Sequence, residues 1–176
     1  MDSAVIYESV LSNVQADLLE YGYARSGKSA LFYRYSADKK VGCCIEMQKS
    51  MFNFPDNYSF TFNLLCVGLY ELDEYYNHKL TVSALKACLH NPFISERIGI
   101  ICRGRDYWWE ITDAVSDKRD LEVYYTRFIQ NDIKASASYL DKLAEKKQMR
   151  SLKRHLLFIL SRQTYNGGKS IWKTRL

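Results

Sequence analysis

The segment Gly22-Tyr23-Ala24-Arg25-Ser26-Gly27-Lys28-Ser29 matches the phosphate-loop pattern GxxxxGK[ST] letter for letter. That pattern binds phosphate because a strand delivers a loop of successive backbone N–H groups, and the Lys and Ser then open a helix whose positive end faces the anion. Here the order is reversed. The residues before the segment carry helical periodicity, and Leu31-Phe32-Tyr33-Arg34-Tyr35 after it has the aromatic character of a strand. Nor does a run of four aliphatic residues end in an Asp suited to a magnesium ion, since Leu69-Tyr70-Glu71-Leu72 before Asp73 carries a charge inside it. The context fits a helix cap at Gly22 and a polar turn at Gly27. A nucleotide-binding enzyme is the alternative that the letters alone suggest.

Other residue types that could do chemistry are scattered. The five Cys (Cys43, Cys44, Cys66, Cys88, Cys102) are an odd number, lie mostly in apolar runs and lack zinc-site spacing, which is the pattern of buried free thiols in a reducing compartment. His78, His90 and His155 stand far apart, and no metal or cofactor is expected. No set of nucleophile, base and orienting group can be assembled from sequence distance.

Three binding candidates remain. Gln48-Lys49-Ser50 closes a strand and enters a loop, where Lys49 and Ser50 could meet an anion or a partner, while Gln48 and Ser50 could equally satisfy backbone groups at the strand end. Arg97 could hold a carboxylate or phosphate through its planar fork, or form an internal ion pair. Trp108 and Trp109 are adjacent in an expected strand and should face opposite ways, one into the core and one toward a helix or a partner surface.

Charge is distributed unevenly. The net charge is +5, and ten Lys or Arg from Lys142 onward face only Asp141 and Glu145 in the last 36 residues. Lys146, Lys147, Arg150, Lys153 and Arg154 could contact nucleic-acid phosphates. They could also be the solvated face of a helix whose other face carries Met149, Leu152 and Leu156, and no recognition motif accompanies them.

The elements that must position these residues follow from periodicity. Ile6, Val10, Leu11, Val14, Leu18 and Leu19 predict a helix over about 3–21, ending near Gly22. Residues 30–35 and 41–48 read as an antiparallel hairpin, 51–58 as a loop rich in turn formers, and 59–69 as a third strand with one covered face. A short helix is expected over 82–89 and a strand over 107–112, with Ile98 to Cys102 a brief apolar run between them. Leu121, Tyr124, Tyr125, Phe128, Ile129 and Ile133 make one helical stripe, and Met149, Leu152, Leu156, Ile159 and Leu160 another. Strands in the middle with helices at both ends predict α+β: an N-terminal helix, an antiparallel meander, and C-terminal helices packed on the sheet. At 176 residues one domain is expected over 1–165, with a mobile basic tail over 166–176. With no run of about 18 apolar residues, no membrane span or export segment is expected, and a cytoplasmic location follows.

The chain carries, in this order, Gly22-Tyr23, Leu31-Phe32-Tyr33-Arg34, Ile45 with Gln48-Lys49-Ser50, Phe60-Thr61-Phe62-Asn63, Glu96-Arg97-Ile98-Gly99, and Asp106 with Trp108-Trp109-Glu110-Ile111. Together these segments resemble the bacterial DUF4304 family of unknown function. The resemblance spans about residues 15–112 and weakens after Leu69 and in the C-terminal helices. It implies an antiparallel α+β fold and brings no catalytic residues. With 14 Tyr and 3 Trp suited to contact surfaces, the expectation is a non-catalytic bacterial module that binds another protein, immunity- or defence-associated. Nucleic-acid binding through the basic C-terminal helix is the other alternative.

Overall fold

The computed structural model describes residues 2–54, 57–69, 80–89, 95–112 and 115–171, with side chains described as far as Arg150. Helix α1 (Ser3–Leu19) starts where the Asp2 carboxylate accepts from the Ala4 N–H at 2.9 Å, and buries Ile6, Val10, Leu11, Val14 and Leu18. It stops two residues earlier than its periodicity suggests. Gly22 takes φ +74°, and this left-handed turn lets its N–H and that of Tyr23 reach back to the Leu19 and Leu18 carbonyls.

Among the described residues six antiparallel strands follow: β1 (Ala24–Arg25), β2 (Leu31–Tyr35), β3 (Val41–Lys49), β4 (Asn57–Gly68), β5 (Ser95–Arg97) and β6 (Trp109–Thr112). The first five lie in sequence order, and β6 pairs with the start of β4 while β5 pairs further along it. The 12-residue β4 is therefore the central strand, with β3 along one side and the two short strands end to end along the other.

Both faces of this strand are buried toward its end, which corrects the reading of one covered face. Phe60, Phe62, Leu64 and Cys66 join the main core with α1 and the C-terminal helices. Leu65 and Val67 point the other way, into a smaller core closed by helix α2 (Val82–Leu89) through Leu85, Cys88 and Leu89. The strict alternation broke at Leu64-Leu65 because the second layer begins there.

The apolar run after β5 folds as a short helix, α3 (Ile98–Arg103), rather than as extended chain. Gly99 makes this possible. A Cβ there would come within 2.5 Å of the Tyr107 backbone nitrogen and 2.7 Å of the Arg105 carbonyl, so the chain returning to β6 passes directly against it. Two helices follow, α4 (Lys118–Phe128), capped by the Asp117 carboxylate on the Asp120 N–H, and α5 (Gln130–Ile171). The single apolar stripe expected over 121–133 crosses the break between them, and Leu121, Tyr125, Ile129 and Ile133 are all buried. Residues 166–171 belong to α5, while 172–176 lie outside the described residues. The arrangement is α+β.

Trp109 joins the layers. Its ring is fully buried, stacks on Phe60 at 6.1 Å and meets Phe62 edge-on at 5.6 Å, and its Nε1–H donates to the Phe128 carbonyl at 2.9 Å. Trp109→Phe should cost about 1 kcal/mol by losing that bond, and Trp109→Ala about 3–5 kcal/mol by emptying the site as well. Urea denaturation of the two variants checks the order and the gap.

Candidate functional site

The phosphate-loop letters fold into the β1–β2 hairpin, with α1 before them and a strand after. Backbone N–H groups that would surround a phosphate are used within the turn: Ser26 donates to Leu31, Gly27 to Arg25 and Ser29 to Ser26. Arg25 turns inward and donates to the Ser29 carbonyl at 2.8 Å and the Lys28 carbonyl at 3.2 Å. An anion would meet carbonyl oxygens already committed to a guanidinium.

The β3–β4 hairpin is different in kind. Its tip exposes three large apolar side chains, Met51 at 90%, Phe52 at 75% and Phe54 at 65%. The turn beneath them is held by its own polar groups. Ser50 Oγ accepts from the Phe52 N–H at 3.1 Å, and Asn53 Oδ1 accepts from the Ser59 N–H at 2.7 Å and from its hydroxyl at 3.2 Å. Phe54 and Asn57 exchange backbone hydrogen bonds. Beside the tip lies a concavity of about 600 Å³ lined by Asp2, Ser3, Lys49, Met51, Phe54 and Tyr58 among others. The Tyr58 hydroxyl is buried there without a hydrogen-bond partner among the described residues, and burial raises its pKa.

Three of the residues singled out from sequence, Gln48, Lys49 and Ser50, make contacts within the protein itself. Gln48 Oε1 accepts from Asn63 Nδ2 at 2.9 Å across the strands. Lys49 Nζ lies 3.6 Å from the centre of the Tyr7 ring, a cation–π contact that commits its charge to the protein's own surface. Ser50 is the turn's internal acceptor. The sequence reading missed Met51, Phe52 and Phe54, although a signal was present: a polar turn cluster should not hold three large apolar residues unless they serve contact.

Arg97 and Trp108 come together on another edge. Arg97 Nη1 donates to Asp106 at 2.8 Å, and its guanidinium sits 4.9 Å above the Trp108 ring, so the internal pair is realised with the half-buried Trp as its platform. Trp109, by contrast, is the core residue of the two. The basic residues lie along α5, where Lys146 and Arg150 are exposed and Lys147 is half-buried; the side chains of Lys153 and Arg154 lie outside the described residues. Met149, expected to begin the apolar stripe, is itself exposed.

Sequence spacing could not show a polar cluster between the helices. Asp17 of α1 is nearly buried and accepts from the Tyr125 hydroxyl at 2.7 Å and from Gln130 Nε2 at 2.9 Å, with Lys134 Nζ at 3.4 Å. One carboxylate thus ties α1 to α4 and α5. Its polar partners supply the hydrogen bonds that a buried carboxylate requires.

A family profile for a domain of unknown function, DUF4304, matches residues 14–149. The chain belongs to the DUF4304 family. The match takes in all six strands and the apolar hairpin, and it continues into α5, past the end of the resemblance read from the sequence. Within it DUF4304 covers Lys146 and Lys147 and stops short of Arg150, Lys153 and Arg154. No curated protein and no solved structure matches the chain. No helix among the described residues is long and apolar enough to cross a membrane.

The buried tyrosines give a pH signature. Burial, followed by the hydrogen bond and charge of Asp17, raises the Tyr125 pKa, and burial pushes Tyr124 up to about 12. The folded state therefore holds these protons more tightly than the unfolded chain. This contribution to stability is complete below the ordinary tyrosine value of about 10 and falls as the pH rises above it. Urea midpoints should drop between pH 8 and pH 11. Tyr125→Phe, which keeps the ring but removes the donor to Asp17, should lower stability at pH 8 by about 1–3 kcal/mol and weaken the alkaline loss.

Proposed function

We propose that this DUF4304 chain is a non-catalytic protein-binding module of the bacterial cytoplasm, acting in immunity or defence, and that the β3–β4 hairpin tip is its contact. The observation that carries the reading is the exposure of Met51, Phe52 and Phe54 on a turn fixed by internal hydrogen bonds. Burying such side chains against a partner yields about 1.5–3 kcal/mol each. The hydrogen bonds at Phe52, Phe54, Asn57 and Ser59 already restrain the described residues on both sides of the tip, so less freedom is lost on binding and more of that gain survives as affinity.

The test is co-purification from the native cell, comparing the wild type with a Met51→Ser, Phe52→Ser, Phe54→Ser triple variant, read by mass spectrometry. Exposed positions carry little folding energy, so the variant should keep its circular dichroism and stability to within about 0.5 kcal/mol per site. One protein should be enriched at least tenfold with the wild type and be lost with the variant. Recovery of nucleotide or RNA without a protein partner, or an unchanged partner in the variant, overturns the proposal.

A further inference from the structure

Four of the five thiols are buried, yet their positions are not equivalent. Cys43 and Cys66 are Cα partners in the β3–β4 ladder. The same register carries hydrogen bonds from the Leu69 N–H to the Lys40 carbonyl and from the Ser50 N–H to the Ser59 carbonyl. Hydrogen-bonded and non-hydrogen-bonded pairs alternate along an antiparallel ladder. Lys40 with Leu69 and Ser50 with Ser59 are hydrogen-bonded pairs, so Cys43 with Cys66, an odd number of steps from each, is not. Such pairs bring the Cα atoms to about 4.5 Å with side chains on one face drawn close, at the short end of the span that a disulfide bridges. Both side chains point into the main core.

The surroundings distinguish this pair from the other thiols. Cys43 lines a concavity of about 390 Å³ between the sheet and α5, whose polar wall includes Arg34, Ser36, Asp141, Glu145 and Gln148. Arg34 is fixed there by its ion pair with Asp141 and by donation to the Tyr21 carbonyl at 3.2 Å. The Cys43 Sγ–H points to the Leu140 carbonyl at 3.8 Å. The Cys66 thiol, donating to Cys43, holds the Cys43 pKa below the ordinary thiol range, aided by the charges of Arg34 and Lys147 and opposed by burial. Cys44, one residue away, faces α2 on the opposite side of the sheet, where burial pushes its pKa well up and keeps it protonated.

We propose that Cys43 and Cys66 form a peroxide-responsive dithiol, with Cys43 the attacking sulfur, reached through the Arg34 concavity, and Cys66 the resolving one. The Cys43 thiolate attacks one oxygen of hydrogen peroxide. An S–O bond forms, the O–O bond breaks, and hydroxide leaves to become water. The Cys66 sulfur then attacks the Cys43 sulfur, an S–S bond replaces the S–O bond, and the departing hydroxide takes the Cys66 proton as a second water. Two thiols are oxidised to a disulfide and one peroxide is reduced to two waters. The bridge is returned to two thiols by thiol–disulfide exchange with a reducing thiol, as suits a reversible state.

The experiment treats the full chain with hydrogen peroxide under native conditions, alkylates it after denaturation, and maps the peptides by mass spectrometry. The expected product is 2 Da lighter before alkylation, takes up three alkyl groups instead of five, yields a Cys43–Cys66 cross-linked peptide, and regains all five on reduction. In Cys66→Ala the cross-link is lost and Cys43 is trapped as a sulfenic acid by dimedone, whereas Cys88→Ala and Cys102→Ala leave the cross-link intact. Five alkylated cysteines in the peroxide-treated wild type, or a cross-link that joins any other pair such as Cys44 with Cys88, overturns the proposal. The wild-type readout stands even where a cysteine variant fails to fold.

Discussion

The hydrogen bond from the Trp109 indole to the Phe128 carbonyl joins the two halves of the molecule. A helix leaves its last carbonyls without intrahelical partners, and Phe128 ends α4 just before the chain breaks at Ile129 and starts α5. That carbonyl is capped from the sheet by Trp109 and from α3 by Arg103 at 3.1 Å. Arg103 is itself held by Asp132 in α5 at 2.7 Å and lies over the Tyr107 ring at 4.0 Å. The angle between α4 and α5 is thus set by groups whose own positions are set by β6. Because β6 pairs with the start of β4, the same contact fixes the helical layer relative to the hairpin that carries the exposed tip.

How much of this was legible depends on whether local pattern or distant packing decided each element. The first helix, the three long strands and the helix at 82–89 were readable because their apolar spacing is set by the layer each one covers. The helix at 98–103 was not, since a short apolar run has no period, and the deciding contact is Gly99 against the returning chain near Tyr107. The split between α4 and α5 was hidden because Leu121, Tyr125, Ile129 and Ile133 stay on one buried stripe across the break. Of the candidate residues, the sequence located Gln48, Lys49 and Ser50 at the end of the correct strand but not their roles. The Asp17 cluster and the Cys43–Cys66 pairing join residues separated by between 23 and 117 positions, and only the fold brings these together.

The phosphate-loop letters show the same point from the other side. Arg25 and the Gly27 turn satisfy the loop's hydrogen bonds internally, through the carbonyls of Lys28 and Ser29 and the N–H groups of Ser26, Gly27 and Ser29. A nest of N–H groups binds an anion only when those donors are left unpaired and directed at one point. Placed between a helix and a strand, the segment instead closes a hairpin, and its Arg25 serves the loop's own carbonyls.

The sheet's edges bear on where a partner could engage. An edge strand binds another chain by offering a long row of unpaired backbone groups, and proteins blunt this by keeping edges short and charged. Here β1 has two residues and includes Arg25, β5 has three and includes Arg97, and β6 has four. The long strands β3 and β4 are paired with each other along their length, and Met51, Phe52 and Phe54 at the end of this pair are exposed. Among the described residues, strand addition therefore has little backbone to work with at β1, β5 and β6. The apolar side chains at Met51, Phe52 and Phe54 concentrate contact capacity at one point, in a side-chain-led mode whose selectivity would come from the shape of the tip and of the concavity beside it.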